Sequence, residues 1–406
     1  MKVLLISSFP PSPHNIGGPS ALPYYLSKYK IDKVKKIDLI YFEGYEDKEN
    51  YFLSGLPSIY SNIKKIRRSN GFDTFIYRIL RKLNIKFKYI GCTYIDFPQK
   101  AIINEIIKEK YDLIWIYPNT MYAWYDYLKS NYKVVVTGPD CASLSHKLVD
   151  EIFTDNDKKK LELKGSKNSK KRSWINDINW SKSNALIHTV GKEDNEYFKI
   201  MGANEHSFFS LHPVSTFETI KKNIVDTTEK LTIVITGVNY SIYMGFFLDK
   251  IVDQLLINNK LNEFYKIIFI GKNFEQVANK LIKSGYEINY LKWVDSYEKA
   301  ISEAQIQILP IIFGSGTKGK TLCAMASGLL CIGTKFAFEN IEINTNEDCI
   351  LINNEMEVVD SLFNIIKNKE FYVETAKNAS KKVIEFHNPI KTSELFWNSI
   401  VHHFNL

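Results

Sequence analysis

The sequence predicts an α/β protein of two parallel-sheet domains facing each other across a cleft. Three observations carry the prediction. Short apolar strands alternate with helical stretches along most of the 406 residues. The alternation breaks at a polar, weakly patterned segment, Val214–Lys230, and then restarts. Small-residue loops follow strand ends, where open α/β sheets hold ligands. The expected organisation is a first domain over 1–212, a second over 213–385, and a closing helix over 386–406 that crosses back to the first. A length of ~100–200 residues per domain is consistent with two or three.

In the first half, Val3–Ser7 reads as strand one. Only four apolar residues, Val3 to Ile6, run together before Ser and Pro intervene, so this is a strand and not a signal peptide. The loop Phe9–Ser20 follows, with Gly17-Gly18-Pro19 either facing a ligand or making a plain turn before a helix near Ser20–Tyr29. Ile37–Phe42 is a second strand.

Residues 64–88 then combine Lys64, Lys65, Arg67, Arg68, Arg78, Arg81, Lys82, Lys86 and Lys88 with apolar residues at helical spacing (Phe72, Phe75, Ile76, Ile79, Leu80, Leu83). Such a basic helix either lies on an anionic membrane surface or packs its stripe on the core with its charges in water.

Leu113–Tyr117 and Lys133–Thr137 are further strands, the latter leading into Gly138-Pro139-Asp140. Asp140 either faces a ligand or caps the next helix, with Ser143 and Ser145 nearby. His146 is a polar group near the cleft or an ordinary surface histidine. Residues 150–182 are strongly polar and read as a long exposed helix or loop. Ala185–Val190 is a strand, followed by a helix through Met201 and a strand at Phe208–Leu211.

In the second half, Thr232–Gly237, Lys266–Gly271, Ile288–Leu291, Ile306–Pro310, Leu329–Gly333 and Cys349–Ile352 read as strands. Helices are expected near 242–257, 274–284, 297–304, 318–327 and 356–368, with two more over 370–386 and 391–404. The most informative stretch is Ile306–Ile341. A buried strand ends at Pro310, and the loop Gly314-Ser315-Gly316-Thr317 follows, flanked by Lys318 and Lys320. A helix from Thr321 to Ser327 comes next, stopped by Gly328. Glycines let the backbone approach a ligand, and a helix start offers unpaired N–H groups and positive dipole charge. The combination suits a phosphate or diphosphate. The alternative is a tight turn with solvated lysines.

A net charge of +8 favours anionic partners such as nucleotides or lipid phosphates. No nucleic-acid-binding module accompanies it, so nucleic acid is not expected as a partner. Five cysteines include no CxxC pair and no metal-ligand spacing, which fits reduced thiols and no metal site. No run approaches ~18 apolar residues, so no transmembrane helix is expected.

These features in this order resemble the GT-B-fold glycosyltransferases of the family-4, or group 1, type. The residues concerned are Thr236-Gly237, Ile268-Phe269-Ile270-Gly271, the run GSGTKGKTLCAMASGLLCIGT from Gly314, and Phe338-Glu339-Asn340-Ile341. The match is densest over 232–341 and fits the glycine/serine-loop subtype. The first ~210 residues agree mainly in strand layout and the Gly17-Gly18 loop.

The resemblance implies two Rossmann-like domains and transfer of a sugar from a UDP- or GDP-type nucleotide donor to a glycan or lipid-linked acceptor. It further implies a retaining reaction with no metal or other cofactor, in building a surface polysaccharide such as capsule or lipopolysaccharide. The lack of a signal peptide and the basic aromatic stretch add the expectation of a cytoplasmic protein, peripheral on the inner face of the membrane and meeting its anionic surface through residues 64–88. Donor-binding residues would be Gly17, Gly18, Gly237, Gly314, Ser315, Gly316, Thr317, Lys318, Lys320, Thr321 and Glu339. Asp140 and His146 would be the catalytic candidates.

Two departures stand out. Relatives commonly have a glutamate before Ala-Met-Ala to hold the ribose, where this chain has Cys323, and Ser315 stands eight positions earlier in place of that glutamate's usual partner. The first-domain histidine found in relatives is replaced by Gly138-Pro139. A non-catalytic nucleotide-sugar-binding subunit and a sugar-nucleotide epimerase are the competing readings.

Overall fold

The computed structural model describes residues 1–13, 20–42, 56–68, 72–83, 85, 88–93, 96–138, 140–154, 166–214, 229–239 and 244–406. The chain divides into two compact units, Met1–Pro213 joined by Pro389–Leu406, and Val214–Asn388.

The first unit is built on seven parallel strands: β1 (Lys2–Ser7), β2 (Lys36–Phe42), β3 (Ile63–Ile66), β4 (Leu113–Tyr117), β5 (Lys133–Thr137), β6 (Leu186–Thr189) and β7 (Ser207–Phe209). Their order is β3-β2-β1-β4-β5-β6-β7. Its helices are α1 (Ala21–Lys28), α2 (Phe72–Lys82), α3 (Lys100–Lys108), α4 (Tyr122–Leu128), α5 (Ala142–Ile152), α6 (Ser166–Ser181) and α7 (Lys192–Phe198).

The central strands are apolar throughout because both faces are covered. Along β1, Val3 and Leu5 join one core while Leu4 and Ile6 join the other. The first of these cores is sealed by the last helix of the chain, Pro389–Phe404, which buries Phe396, Trp397 and Ile400. Trp397 Nε1 donates to the Leu26 carbonyl at 2.7 Å, Ser393 Oγ donates to the Tyr25 carbonyl at 3.1 Å, and Trp115 packs edge-on to Trp397 at 5.6 Å. Each such aromatic contributes about 2–3 kcal/mol of burial.

The second unit has β8 (Leu231–Val238), β9 (Tyr265–Lys272), β10 (Glu287–Leu291), β11 (Ile306–Leu309), β12 (Leu330–Gly333) and β13 (Ile350–Leu351), all parallel, in the order β10-β9-β8-β11-β12-β13. Its helices are α8 (Gly245–Ile257), α9 (Glu275–Lys283), α10 (Tyr297–Ala300), α11 (Gly319–Ala326), α12 (Glu355–Lys367) and α13 (Lys369–Phe386), which makes the closing helix of the first unit α14. Ile233 and Ile235 face one core, Val234 the other.

The β8 and β9 strands run so close at their ends that a Cβ on Gly271 would stand 1.8 Å from the Gly237 carbonyl oxygen. Both glycines also hold positive φ, 144° at Gly237 and 132° at Gly271, so no other residue serves there.

Three elements differ from the sequence expectation. Residues 63–66 form β3 at the sheet edge, pairing Ile63 with Leu39, so the basic stretch does not begin as a helix at Lys64. An edge strand leaves Lys64 and Lys65 in solvent, where their charge costs nothing. Helix α6 is not simply exposed: Ile175, Asn176, Asp177 and Trp180 are buried along one face. The helix expected over 297–304 shrinks to the single turn α10. Most of the expected linker, 215–228, lies outside the described residues.

Candidate functional site

In the second unit β11 lies between β8 and β12, and all three strands are parallel. Segments leaving their C-terminal ends therefore share one edge of the sheet. Strand order also reverses between β8 and β11, so this edge is a topological switch point, where α/β sheets leave a crevice. Gly237 ends β8, the Gly314–Thr317 loop follows β11, and Glu339 follows β12. The fold thus brings these candidates together.

The loop owes its shape to its glycines. Gly314 has φ 151° and Gly316 has φ 67°, and Gly316 is buried in the left-handed region that a side chain would strain. Lys318 folds back over the loop, donating from Nζ to the carbonyls of Gly316 at 2.8 Å and Ser315 at 3.1 Å. The same ammonium lies 3.9 Å from Glu339 Oε2. Glu339 is presented by a turn in which Asn340 takes φ 60°, a conformation asparagine tolerates. That turn is tied to the β11 side because the Thr334 hydroxyl donates to the Ile311 carbonyl.

Lys318 is the N-cap residue of α11, and no side chain caps that helix start. Solvent still reaches Lys320, but enough protein surrounds its ammonium that desolvation holds its pKa below the ordinary lysine value. The Thr321 hydroxyl is fully buried with no hydrogen-bond partner. An exposed lysine, an uncapped helix start and a hydroxyl without a partner thus follow one another within four residues of the loop.

Beneath it lies a polar triangle that the sequence reading missed. Tyr297 Oη donates to Gln307 Oε1 at 3.0 Å, Gln307 Nε2 donates to Thr236 Oγ1 at 3.3 Å, and Thr236 Oγ1 is 3.4 Å from the Tyr297 hydroxyl. The signal was a glutamine inside the apolar strand Ile306–Leu309, fully buried in the fold. Cys323 is buried on α11 and lies close enough to Lys320 and Tyr297 to influence both titrations. A thiol at this position offers no carboxylate to a sugar hydroxyl.

The first-unit candidates sit differently. Asp140 is exposed on the loop leaving β5, its carbonyl accepting from Asn119 Nδ2 at 3.3 Å. It does not cap α5. The N-cap is Cys141, and two carboxylates from distant helices serve the helix start: Asp194 Oδ1 accepts from the Cys141 N–H at 2.6 Å, and Asp177 Oδ2 from the Ser143 N–H at 2.8 Å. His146 is half-buried between α5 and α6, with Nε2 3.2 Å from Ser173 Oγ. Burial and the charge of Lys170 hold its pKa below the usual imidazole value. Asp96 was not expected: it is buried at the end of β1, accepts from Ser8 Oγ at 2.6 Å, lies 3.7 Å from Arg68 Nε, and has its pKa raised by burial. Gly17 and Gly18 lie outside the described residues.

Residues 230–368, which span the whole site edge, match the family Glycosyl transferases group 1. No curated protein sequence matches the chain. Among solved structures, Anabaena Alr3699/HepE in complex with UDP is similar over 99% of this chain and 100% of its own, with a TM-score of 0.67 and 11% identity. Sucrose-phosphate synthase from Thermosynechococcus elongatus is similar over 100% of both chains, with a TM-score of 0.66 and 10% identity. The lipopolysaccharide outer core galactosyltransferase WaaB covers 99% and 100%, with a TM-score of 0.62 and 12% identity. At such identities these likenesses are of fold, and the fold is the expected GT-B pair of parallel-sheet units.

Proposed function

We propose, from the match of residues 230–368 to the group 1 glycosyl transferases, that the chain is a glycosyltransferase that moves a sugar from a UDP- or GDP-type donor to a glycan or lipid-linked acceptor. The observation that carries the donor side is the Gly314–Thr321 segment. Its glycines, its uncapped helix start and Lys320 follow β11 at the switch-point edge, and Thr321 on the same helix keeps a buried hydroxyl without a partner. As the glycosidic bond breaks, the departing nucleoside diphosphate gains charge. Preorganised N–H groups and lysines stabilise that charge more in the transition state than in the ground state.

In this reading Lys320 neutralises the diphosphate directly. Lys318 first shapes the loop through its carbonyl contacts, and Glu339 holds Lys318 from the opposite side. Gly237, Gly17 and Gly18 are taken as further donor-binding residues on the strength of the sequence resemblance. Leaving-group stabilisation of this kind needs no metal, and the reading takes transfer as retaining. Asp140 is the better acceptor-side candidate, because His146 is already engaged by Ser173. The setting is surface-polysaccharide assembly at the inner face of the cytoplasmic membrane, with domains divided as 1–212, 213–385 and 386–406.

The test is nucleotide release from UDP- and GDP-hexoses by the full chain, with a panel of glycan and lipid-linked acceptors. Acceptor-dependent release of one nucleotide is the expected result. Tight nucleotide binding with no turnover on any acceptor would instead favour a non-catalytic binding subunit, the reading that Cys323 in place of a carboxylate supports.

A further inference from the structure

The basic stretch around α2 has the opposite orientation from a packed core helix. Phe75, Ile79 and Leu83 follow one another at four-residue spacing along one face and are 58%, 41% and 64% exposed. Ile76 and Ile85 are also exposed. The body of the protein is met by a different face: Tyr77 stacks on Phe97 at 4.3 Å between ring centroids and meets Tyr89 edge-on. Arg81 Nη1 donates to the Cys92 carbonyl at 3.3 Å. Arg78 and Lys82, both exposed, flank the outward apolar stripe.

Charge singles out the same stretch. Residues 64–88 hold nine Lys and Arg against one Asp, leaving 44 basic and 44 acidic residues in the rest of the chain. The whole excess of +8 is therefore carried by this stretch of sequence, in which Lys64 pairs with Glu105 and Lys88 with Asp126. An apolar stripe on a convex helix, bordered by cations, does not form a groove for a peptide. It matches a flat, polyanionic, laterally continuous surface with an apolar interior.

We propose that the outward face of α2 is a membrane-docking surface for bilayers containing anionic phospholipid, with Phe75, Ile79 and Leu83 entering the headgroup boundary and Arg78 and Lys82 facing the lipid phosphates. This deepens the membrane side of the reading above and rests on it only for the location of the acceptor. The helix places its apolar residues where a protein in free solution gains nothing from them.

The experiment is co-sedimentation of the full chain with vesicles of phosphatidylcholine alone and of phosphatidylcholine containing about a third phosphatidylglycerol. Binding is expected only to the anionic vesicles, falling with added salt. The Phe75→Ser/Leu83→Ser pair is expected to weaken it ~10-fold or more, with the melting temperature and nucleotide binding unchanged. Arg78→Glu/Lys82→Glu is expected to weaken it comparably.

Absence of binding to anionic vesicles overturns the proposal, as does binding that is indifferent to the Phe75/Leu83 pair. A dimer that the same pair converts to monomer, with no vesicle binding, would assign the face to a second copy instead. Because nucleotide binding is read separately, a failure here leaves the donor site standing, and the reverse also holds.

Discussion

Lys320→Ala is expected to lower affinity for the donor nucleotide by ~30-fold, the loss of one charge-assisted contact of about 2 kcal/mol. The protein around the exposed Lys320 ammonium already disfavours its charged form, and an arriving diphosphate favours that form. Affinity should therefore decline as pH rises through the lowered lysine pKa, earlier than for an ordinary lysine. Lys320→Arg should recover most of the binding, because it restores the charge. Lys318→Ala should cost less binding and more stability, because that ammonium is engaged with the Ser315 and Gly316 carbonyls and with Glu339. Isothermal titration with UDP or GDP, alongside thermal melts, separates the two lysines.

The second large effect concerns acid stability and arises at His188. Its ring is fully buried on β6, with Nδ1 3.1 Å from Thr137 Oγ1 and Nε2 2.7 Å from Ser210 Oγ. Trp115 Nε1, which can only donate, gives its proton to Thr137 Oγ1 at 2.9 Å. The threonine proton is thus left for Nδ1, and the ring proton lies on Nε2, facing Ser210. Phe208 and Phe396 pack on the ring, with centroids at 5.0 and 4.7 Å. Burial, helped by the charge of His212, pulls its pKa down to about 3.

The folded state therefore resists a proton that the unfolded chain accepts at about 6.5. Stability from this residue is complete above that value and is lost as pH falls from there toward 3, at up to about 1.4 kcal/mol per pH unit. Between pH 7 and 5 the wild type is expected to lose about 2 kcal/mol more than His188→Gln in urea unfolding. Parallel pH profiles for the two proteins would remove the imidazole from this account.

The sequence carried most of the fold because buried parallel strands are written as apolar runs, and these strands read that way from Val3 to Ile352. It failed where charge masked a strand. Ile63–Ile66 carries two lysines, and only the neighbouring sheet edge makes that tolerable. The Gly314–Thr321 loop and helix start were legible because their pattern is local: glycines, lysines and a helix start within eight residues. Long-range partners were not legible. Asp177 and Asp194 reach the α5 start from 34 and 53 residues away, so the helix start pointed wrongly to Asp140. The Tyr297–Gln307–Thr236 triangle joins three elements for the same reason. The outward turn of the α2 stripe could not be read from periodicity, which gives a face without saying what covers it.

The central claim is that the Gly314–Thr321 edge holds a nucleoside diphosphate, and thermal unfolding of the full chain with UDP, GDP, ADP and inorganic phosphate tests it most directly. One diphosphate is expected to raise the melting temperature progressively with concentration, reaching about 2.7 kcal/mol of stabilisation at a hundredfold excess over its Kd. That rise should be much smaller in Lys320→Ala. No shift with any nucleoside diphosphate at millimolar concentration, or an equal shift in wild type and Lys320→Ala, would contradict the account.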